Sequence, residues 1–573
     1  MRILGIRDII GPIMIGPSSS HTAGALRIAS MCRRLLAGEP RQASFHLYGS
    51  FAHTYRGHGT DKALVAGLLG MAADDERIRD SFEIAKERNL SFVFEPRPNE
   101  PMPHPNTVCI EVTDSTGAHT SMRGESIGGG AAVITRINGI DVRLTGEFHS
   151  IVVKQRDVAG VLAHIATCLS VFDVNIATTK LFRERKGELA YTIMQTDDEV
   201  DERVAASIAK HPDIFDVRIV KSDRASEAVA PVKGEAASGG FAAGLTPQEA
   251  AAAFEQLDFA NGAELLAYCE NEGASISEAI CRRERCMLAA DGVAVDNTRR
   301  YLERALAVMR ESATAPLASP VKSMGGLIGG EAAALSVLER KNASAWREKA
   351  DNERGATNAG DAQETPSSVA DPLLARATTY AMAVLETNAS MGRIVAAPTA
   401  GSSGVLPAML LAAQDIHGFS DDELVHALAN AAAIGYLITR NATVAGAEGG
   451  CQAEVGAASA MAASAACELF GGTPRQCFAA ASNALCGLMG LVCDPIAGLV
   501  EAPCQKRNAT GVANAIVSAQ IALSGVENLV GFDETVEAMR RVGNSLPFEL
   551  RESALGGMAA TPSACAFCES CMK

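Results

Sequence analysis

The chain has 573 residues, enough for about three or four domains. Its 67 acidic residues outnumber its 51 basic residues, and the net charge of −16 argues against binding to nucleic acid or an anionic membrane. The composition is 47% hydrophobic but only 5% aromatic, so the apolar residues are mostly small and aliphatic. No stretch predicts a signal peptide or a membrane span. We therefore expect a cytoplasmic protein whose cysteines stay reduced.

The first segment, residues 1–146, carries a serine-rich motif where a helix is predicted to begin. Gly16–Thr22 reads Gly-Pro-Ser-Ser-Ser-His-Thr. We expect its serine hydroxyls to cap that helix, and the exposed amides at such an end favour a carboxylate or a phosphate. His21 would lie in the first turn; the alternative is a solvated histidine beside an ordinary serine cap. Val-, Ile- and Thr-rich residues predict strands at 107–113 and 131–144.

A second histidine motif, Gly57–Asp61, reads Gly-His-Gly-Thr-Asp. The glycines on either side of His58 let the backbone approach a ligand closely, and Thr60 or Asp61 is placed to cap the next helix. The glycine run of Ser126–Gly130 is weak evidence for phosphate binding, because a hairpin or bulge explains it as well. We predict an N-terminal α/β domain with a ligand site near its histidines.

Residues 147–221 alternate between strand and helix patterns in the order β-α-β-β-α-β, which is typical of a ferredoxin-like fold. Arg156-Asp-Val-Ala-Gly-Val-Leu resembles the ligand-edge turn of an ACT domain, with Asp157 and Gly160 at that edge. Amino-acid binding and simple dimerisation are both open for such a domain. Residues 222–243 are rich in Ala, Gly, Pro and Ser without periodicity, which predicts a flexible linker.

The second half, residues 244–573, has helical patterns and no strand pattern of any length, so we expect an all-α domain. Residues 341–371 are polar and biased in composition. They predict an exposed, disordered insertion, with a solvated helix over part of it as the alternative. The turns of Thr399–Gly404 precede an apolar helix, and their amides are candidates to hold a carboxylate.

Three cysteines of this half stand out by their surroundings, Cys451, Cys493 and Cys504. The first follows Gly-Gly and the third follows Pro, where helices end and the chain turns. Thiolates that converge at such turns would form a soft-metal site for zinc or an iron–sulfur cluster. The three cysteines are 42 and 11 residues apart, so none of them forms a closely spaced pair. The alternative is that they are small residues buried in the core.

The segments around these cysteines closely resemble the catalytic region of the iron–sulfur L-serine dehydratases. The two histidine motifs resemble the beta part of that family, and Asn388-Ala-Ser-Met-Gly-Arg resembles its alpha part. The resemblance implies a beta domain (1–146), an ACT domain, a linker and an alpha catalytic domain. It also implies a 4Fe-4S cluster on the three cysteines, no pyridoxal phosphate, and conversion of L-serine to pyruvate and ammonia.

By the same resemblance, His58 is our choice for the base that removes the α-proton, with His21 as the second choice or as an orienting residue. Nine residues would contact the substrate: Ser18, Ser19, Ser20, Thr22, Thr60, Asp61, Asn388, Ser390 and Thr399. The tail, residues 563–573, is rich in cysteine. Cys571 would be a removable fourth ligand of the cluster, and a frayed terminus is the alternative.

Two other functions stay open at this point. One is a different cluster-dependent lyase of a small amino or hydroxy acid, for example cysteine. The other is a non-enzymatic ACT sensor with a structural zinc site, which would be colourless where a cluster is brown. We expect a small-molecule substrate and a homodimer.

Overall fold

The computed structural model describes residues 3–146, 148–183, 185–196, 199–221, 244–352 and 369–571, with backbone alone for 342–352 and 568–571. The described residues form two compact units. The sheet unit comprises residues 20–221, and the helical unit comprises residues 3–19 and 244–571. The predicted combination of a sheet-rich first part with a helical second part is confirmed.

A six-stranded sheet is the first layer of the sheet unit. In spatial order its strands are Ser91–Arg97, Pro40–Tyr48, Thr107–Asp114, His119–Gly128, Ala131–Ile137 and Ile140–Leu144. The first two pair in parallel and the remaining neighbours are antiparallel. Its helices are Gly24–Leu35, Gly49–Thr54, Thr60–Leu68 and Ser81–Glu87, with a short 3-10 helix at Glu76–Asp80.

A four-stranded antiparallel sheet follows in the same unit. Its strands lie in the order Ile214–Val220, His149–Arg156, Leu189–Thr196 and Ile176–Arg183. Helices Val161–Val171 and Glu202–Ile208 supply the apolar residues that cover it, including Val161, Ile165 and Val204. The chain order is β-α-β-β-α-β, as the alternating patterns predict. Whether the segment acts as an ACT domain stays a prediction.

The predicted helix caps in the first segment are wrong. Helix Gly24–Leu35 begins after a π-helical turn at Ser19–Ala23, and no side chain caps it. The helix that follows His58 begins at Thr60 and is preceded by Gly59, whose φ of 60° suits a residue without a Cβ. The cap prediction failed at Ser20 because its hydroxyl bonds the ring of His21 instead.

The helical unit consists mainly of helices, which range from 4 to 22 residues in length. In chain order they are Ile6–Ile9, Pro247–Leu257, Gly262–Glu272, Ile276–Ala290, Asn297–Ala318, Glu331–Asn352, Pro372–Ala389, Val405–His417, Asp421–Asn441, Gly446–Gly449, Ala457–Leu469, Pro474–Gly487, Cys504–Leu523, Phe532–Ser545 and Pro562–Cys571. Every alanine of Ala457–Leu469 is buried, which permits close helix–helix approach. Among the described residues, no helix is both long and apolar enough to cross a membrane.

The helical unit is not purely helical, and it includes residues 3–19 as well as the second half of the chain. Strand Ile13–Ile15 pairs antiparallel with strand Arg393–Val395. Residues 3–19, which the sequence assigns to a first domain of 1–146, therefore belong to the helical unit. Two three-residue strands are too short to produce a recognisable alternation, so no sequence pattern announces them.

Two predicted segments fall wholly or partly outside the described residues. The linker prediction concerns 222–243, all of which lie outside them. In the predicted insertion at 341–371, the backbone continues a helix, Glu331–Asn352, over the first part, as the alternative prediction has it. Residues 353–368 lie outside the described part of the chain.

Candidate active site

The three predicted cysteine ligands lie at irregular points of the helical unit, and all are buried. Cys451 follows Gly450, whose φ of 73° is left-handed, and precedes a π-helical turn at Gln452–Gly456. Cys493 lies in an extended segment that bridges to Arg551. Cys504 is the first residue of its helix. Chain reversals rather than regular secondary structure thus bring these thiols into one region.

The donor atoms of Cys451, Glu454 and Cys493 lie within 4.8 Å of one another. The thiol of Cys493 hydrogen-bonds Cys451 and lies 3.9 Å from Oε2 of Glu454, and the charge of Cys451 acts on Cys504. A sulfur-rich donor set of this kind, with its cysteines buried and Glu454 partly exposed, fits a soft metal or an iron–sulfur cluster. We call this region, with its three cysteines and Glu454, the thiol pocket.

Two of the three thiols in the thiol pocket, those of Cys493 and Cys504, are held in the neutral form. The pKa of Cys493 is raised well above its ordinary value, chiefly by its hydrogen bond with Cys451 and then by burial. Burial is the main cause of the raised pKa of Cys504. Arg507 donates to the sulfur of Cys451 at 3.8 Å and forms a 2.6 Å ion pair with Asp494. A bound cation would add the positive charge that thiolates need here.

Two acidic residues in this region were missed by sequence reasoning. Glu454 accepts a hydrogen bond from Thr399 at 2.9 Å, and burial raises its pKa to about 7. Glu552 donates its backbone N–H to the carbonyl of Cys493 and holds a φ of 56°, an uncommon conformation for a residue with a Cβ. Burial also raises the pKa of Glu552 well above its ordinary value.

The predicted substrate residues of the second half lie on two linked turns. The side-chain amide of Asn388 donates to the carbonyls of Pro17 and Ala400 at 3.0 and 3.2 Å. Within the described part of the chain, its Oδ1 is buried without a hydrogen-bond partner. Thr399 contacts Glu454, whereas Ser390 donates to the carbonyl of Thr387 and is held within its own turn. Asn388 and Thr399 are therefore better placed for a ligand than Ser390.

The remaining predicted residues of the serine motif divide between the two units. Ser18 and Ser19 belong to the helical unit, and both are buried. Ser20 and Thr22 belong to the sheet unit, where Thr22 donates to the carbonyl of His58 at 2.7 Å. Thr22 thus supports the backbone of the second histidine motif and does not offer its hydroxyl hydrogen to a ligand.

The two predicted histidines meet in the sheet unit. Their rings, which we call the histidine pair, lie 4.4 Å apart at 68°, and both are fully buried. His21 hydrogen-bonds Ser20 through Nδ1 at 2.8 Å and Ser50 through Nε2 at 2.9 Å. Neither ring nitrogen of His58 has a hydrogen-bond partner among the residues that the structure describes. Buried polar atoms seldom stay unpaired, so of the two histidines His58 is the candidate for contact with a ligand.

Both imidazoles of the histidine pair are held neutral. Burial lowers the pKa of His58 to about 3. Burial, followed by the neighbouring His58 and His104, lowers the pKa of His21 well below its ordinary value. A neutral imidazole has a free lone pair, so His58 is in the protonation state that a general base requires.

Thr60 and Asp61 follow the histidine pair at the start of the next helix. The hydroxyl of Thr60 is fully buried, and no described residue bonds it. Asp61 accepts the backbone N–H of Lys62 at 2.8 Å, and burial raises its pKa to about 6. Thr60 therefore remains a candidate for substrate contact, while Asp61 has a local structural partner.

Comparison with known proteins assigns both parts of the chain to related families. Residues 7–136 match the family described as serine dehydratase beta chain, and residues 241–559 match the one described as serine dehydratase alpha chain. An L-serine dehydratase of Mycobacterium bovis is 30% identical over 563 residues, which cover 96% of each chain. The chain belongs to the serine dehydratase family.

Other serine dehydratases match single parts of the chain. The alpha chain of the L-serine dehydratase of Peptoniphilus asaccharolyticus is 56% identical over 192 residues, which cover 34% of this chain and 66% of that relative. The probable beta chain of Bacillus subtilis is 40% identical over 217 residues, covering 38% of this chain and 98% of its own. The chain thus spans just under two thirds of that alpha chain and nearly all of that beta chain.

One predicted ligand of this serine dehydratase cannot be placed against the thiol pocket. Cys571 is the last residue of helix Pro562–Cys571, and its side chain lies outside the described part of the structure. Its assignment as a removable ligand stays a prediction.

Proposed function

We propose that this protein is an L-serine dehydratase that converts L-serine to pyruvate and ammonia with a 4Fe-4S cluster and without pyridoxal phosphate. The observation that carries the proposal is that three cysteines, far apart in sequence, are all buried in one region of a chain whose two parts match the serine dehydratase beta and alpha chains. The reducing cytoplasm would keep such thiols free to bind metal.

Each residue has a defined task in this proposal. Cys451, Cys493 and Cys504 would hold the cluster, which when bound supplies a Lewis acid that makes the serine hydroxyl a better leaving group. His58 would accept the α-proton at a ring nitrogen, while two serine hydroxyls fix the ring of His21 beside it. Loss of this proton and of the hydroxyl leaves 2-aminoacrylate. Its imine tautomer is hydrolysed to pyruvate and ammonia.

Substrate binding would use the groups that the fold leaves available. Asn388 has an unpaired Oδ1 and Thr60 an unpaired hydroxyl among the described residues, and both are buried. Such atoms favour a polar ligand, since burying them without a partner costs about 1–3 kcal/mol each. Ser18, Ser19 and Ser20 remain candidates for the carboxylate of serine, as the family resemblance implies.

The direct test is anaerobic purification, iron analysis and assay of pyruvate and ammonia from L-serine. L-cysteine serves as the alternative substrate, because sulfide release would identify a cysteine lyase instead. Cys451→Ser is the matched negative control. A colourless wild-type protein with full activity on L-serine would show that the cluster assignment is wrong. Iron-loaded protein that forms no pyruvate from L-serine would refute the proposed reaction.

For the four-stranded segment we propose an ACT domain that mediates pairing into a homodimer or amino-acid control. Gly160 has a φ of 97° and precedes helix Val161–Val171. Asp157 already accepts hydrogen bonds from Arg183 and from the backbone of Gly187, each at 3.2 Å, which stabilises the turn. Deleting residues 148–221 should change the oligomeric state or the shape of the serine saturation curve. An unchanged mass and an unchanged curve would identify a passive spacer.

A further inference from the structure

Two carboxyl groups of the helical unit meet where two helices pack together. Glu386 lies on helix Pro372–Ala389 and is 1% exposed. Glu331 is the first residue of helix Glu331–Asn352 and is partly exposed. The two side chains lie within hydrogen-bonding range of each other. Two ionised carboxyl groups repel at this range, so a proton or a cation has to be held between them.

Backbone amides hold one oxygen of each carboxyl group. Oε1 of Glu386 accepts the N–H of Ala332 at 2.9 Å, and Oε2 of Glu331 accepts the N–H of Gly329 at 2.7 Å. Among the described residues, no group donates a hydrogen bond to Oε2 of Glu386, which is buried. Amides at the start of a helix favour the charged form of a carboxyl group beside them. Oε2 of Glu386 therefore needs a positive or hydrogen-donating partner.

The side chain of Gln505 brings a third oxygen atom to the same place. It is 1% exposed, and its Nε2 donates to the carbonyl of Met382 at 3.4 Å and to Oε1 of Glu386 at 3.2 Å. The amide also lies within hydrogen-bonding range of Glu331. A flipped amide would put its oxygen beside acceptors, so its orientation is fixed. Its Oε1 is buried, and no described residue donates to it.

A proton shared by the two carboxyl groups is the simplest alternative, since burial raises the pKa of Glu386. Such a proton would satisfy the carboxyl groups but not Oε1 of Gln505, which is an acceptor as well. A cation would satisfy all three oxygen atoms together. Because Glu331 is partly exposed, an ion and its bound water can reach this place from the surface.

We propose that Glu331, Glu386 and Gln505, which we call the carboxyl cradle, bind a hard divalent cation, Mg²⁺. Carboxylate and amide oxygens are ligands of hard cations, and Mg²⁺ typically takes one or two carboxylates and completes its shell with water. Two carboxylates balance the charge of one divalent ion. The ion would join the three helices that carry these side chains. No residue of the carboxyl cradle belongs to the thiol pocket, and the site would exist whether or not the protein acts on L-serine.

The test is thermal unfolding of the anaerobically purified protein in a series of MgCl₂ concentrations, with NaCl added to keep the ionic strength constant. An ion that binds the folded state alone stabilises it, and we expect Tm to rise by about 2–4 °C. Calorimetric titration of Mg²⁺ into the same protein should give one bound ion per chain. The carboxyl cradle is refuted as a cation site if Mg²⁺ leaves the Tm of the wild type unchanged, which would support the shared proton.

Three variants make the test specific. Glu386→Gln keeps the shape of the side chain and supplies amide hydrogens to Glu331, so it should fold, and it should lose both the rise in Tm and the calorimetric signal. Glu331→Gln changes the more accessible carboxyl group and should lose them as well. The matched control is Glu339→Gln, which removes a carboxylate paired with Arg376 on the same helix and should keep the full response to Mg²⁺. An equal response in Glu386→Gln and the wild type would place the bound ion elsewhere and overturn the assignment.

Discussion

The cysteines of the thiol pocket and the histidine pair are all buried, yet burial has opposite consequences for them. Burial in a low-dielectric interior favours the neutral form of any ionisable group. For His58 the neutral imidazole, with its pKa near 3, is the form that accepts a proton. For Cys493 and Cys504 the neutral thiol is the form that does not bind metal. On the proposed function, the fold alone would prepare the base, whereas the thiol pocket would reach its functional state only with a cation.

The sharpest way to test this comparison is to remove one thiol. Cys493→Ser should abolish the visible colour and leave pyruvate formation undetectable, because a hydroxyl is a poor substitute for a thiolate ligand of iron. Iron per chain, the visible spectrum and the pyruvate rate are the measurements. The matched control is Cys486→Ser, which alters an exposed cysteine and should retain all three properties. A coloured Cys493→Ser protein would remove this residue from the ligand set.

Removing the base should affect activity and spare the metal. His58→Ala should lower kcat about 10²- to 10⁴-fold, the usual contribution of a general base, with unchanged iron content and colour. His53→Ala, which changes an exposed histidine five residues away, should keep wild-type kcat. If His21→Ala lowers kcat strongly and His58→Ala does not, the roles of the two histidines are exchanged.

The histidine pair should also affect how the free energy of unfolding depends on pH. His58 has a lowered pKa in the folded state, so the unfolded chain takes up its proton first as pH falls below about 6.5. Its contribution to stability is complete above that pH and decreases towards pH 3, by about 1.4 kcal/mol per pH unit for one proton. Urea unfolding at pH 7.5 and pH 5 should show a smaller pH dependence for His58→Gln. If the stability of the wild type and that of His58→Gln depend equally on pH, His58 is not a buried neutral imidazole.

The smallest expected effect concerns the tail. If Cys571 binds the fourth iron in the resting protein, serine must displace it, and apparent affinity is reduced by the fraction of tail-bound protein. Truncation after Ala564 should then lower the apparent KM a few-fold and shorten the lifetime of the colour in air. Cys571→Ser in the full chain is a smaller change than the truncation. It should shift the apparent KM and the lifetime of the colour in air in the same directions. If the apparent KM and the lifetime of the colour in air are both unchanged, Cys571 is not a ligand and the alternative, a frayed terminus, is supported.

Much of the candidate site was accessible from the sequence because its residues sit in distinctive local contexts. Glycines and prolines mark Cys451, Cys504 and His58, and the structure buries all three. Glu454 has no such context, since a glutamate three residues after a cysteine in a helical pattern usually faces solvent. Its position beside the cysteines depends on a hydrogen bond from Thr399, which lies 55 residues earlier in the chain.

The fold predictions failed where a distant partner decides the local structure. The elements of the four-stranded segment were predictable within a few residues, because each has its own period. The serine cap was wrong because the ring of His21 takes the hydroxyl of Ser20. No sequence pattern indicates that residues 3–19 pack with the helical unit, because the strand Ile13–Ile15 is defined by its pairing with Arg393–Val395.

That strand pairing has a consequence for biosynthesis. Ile13 and its partner Val395 are 382 residues apart in sequence. At about 5–20 residues per second, a ribosome needs roughly 20–80 s to make the intervening chain. Until then the apolar strand Ile13–Ile15 lacks its partner, Arg393–Val395. The edge and the apolar side chains of this strand are therefore exposed to non-native contacts over that interval.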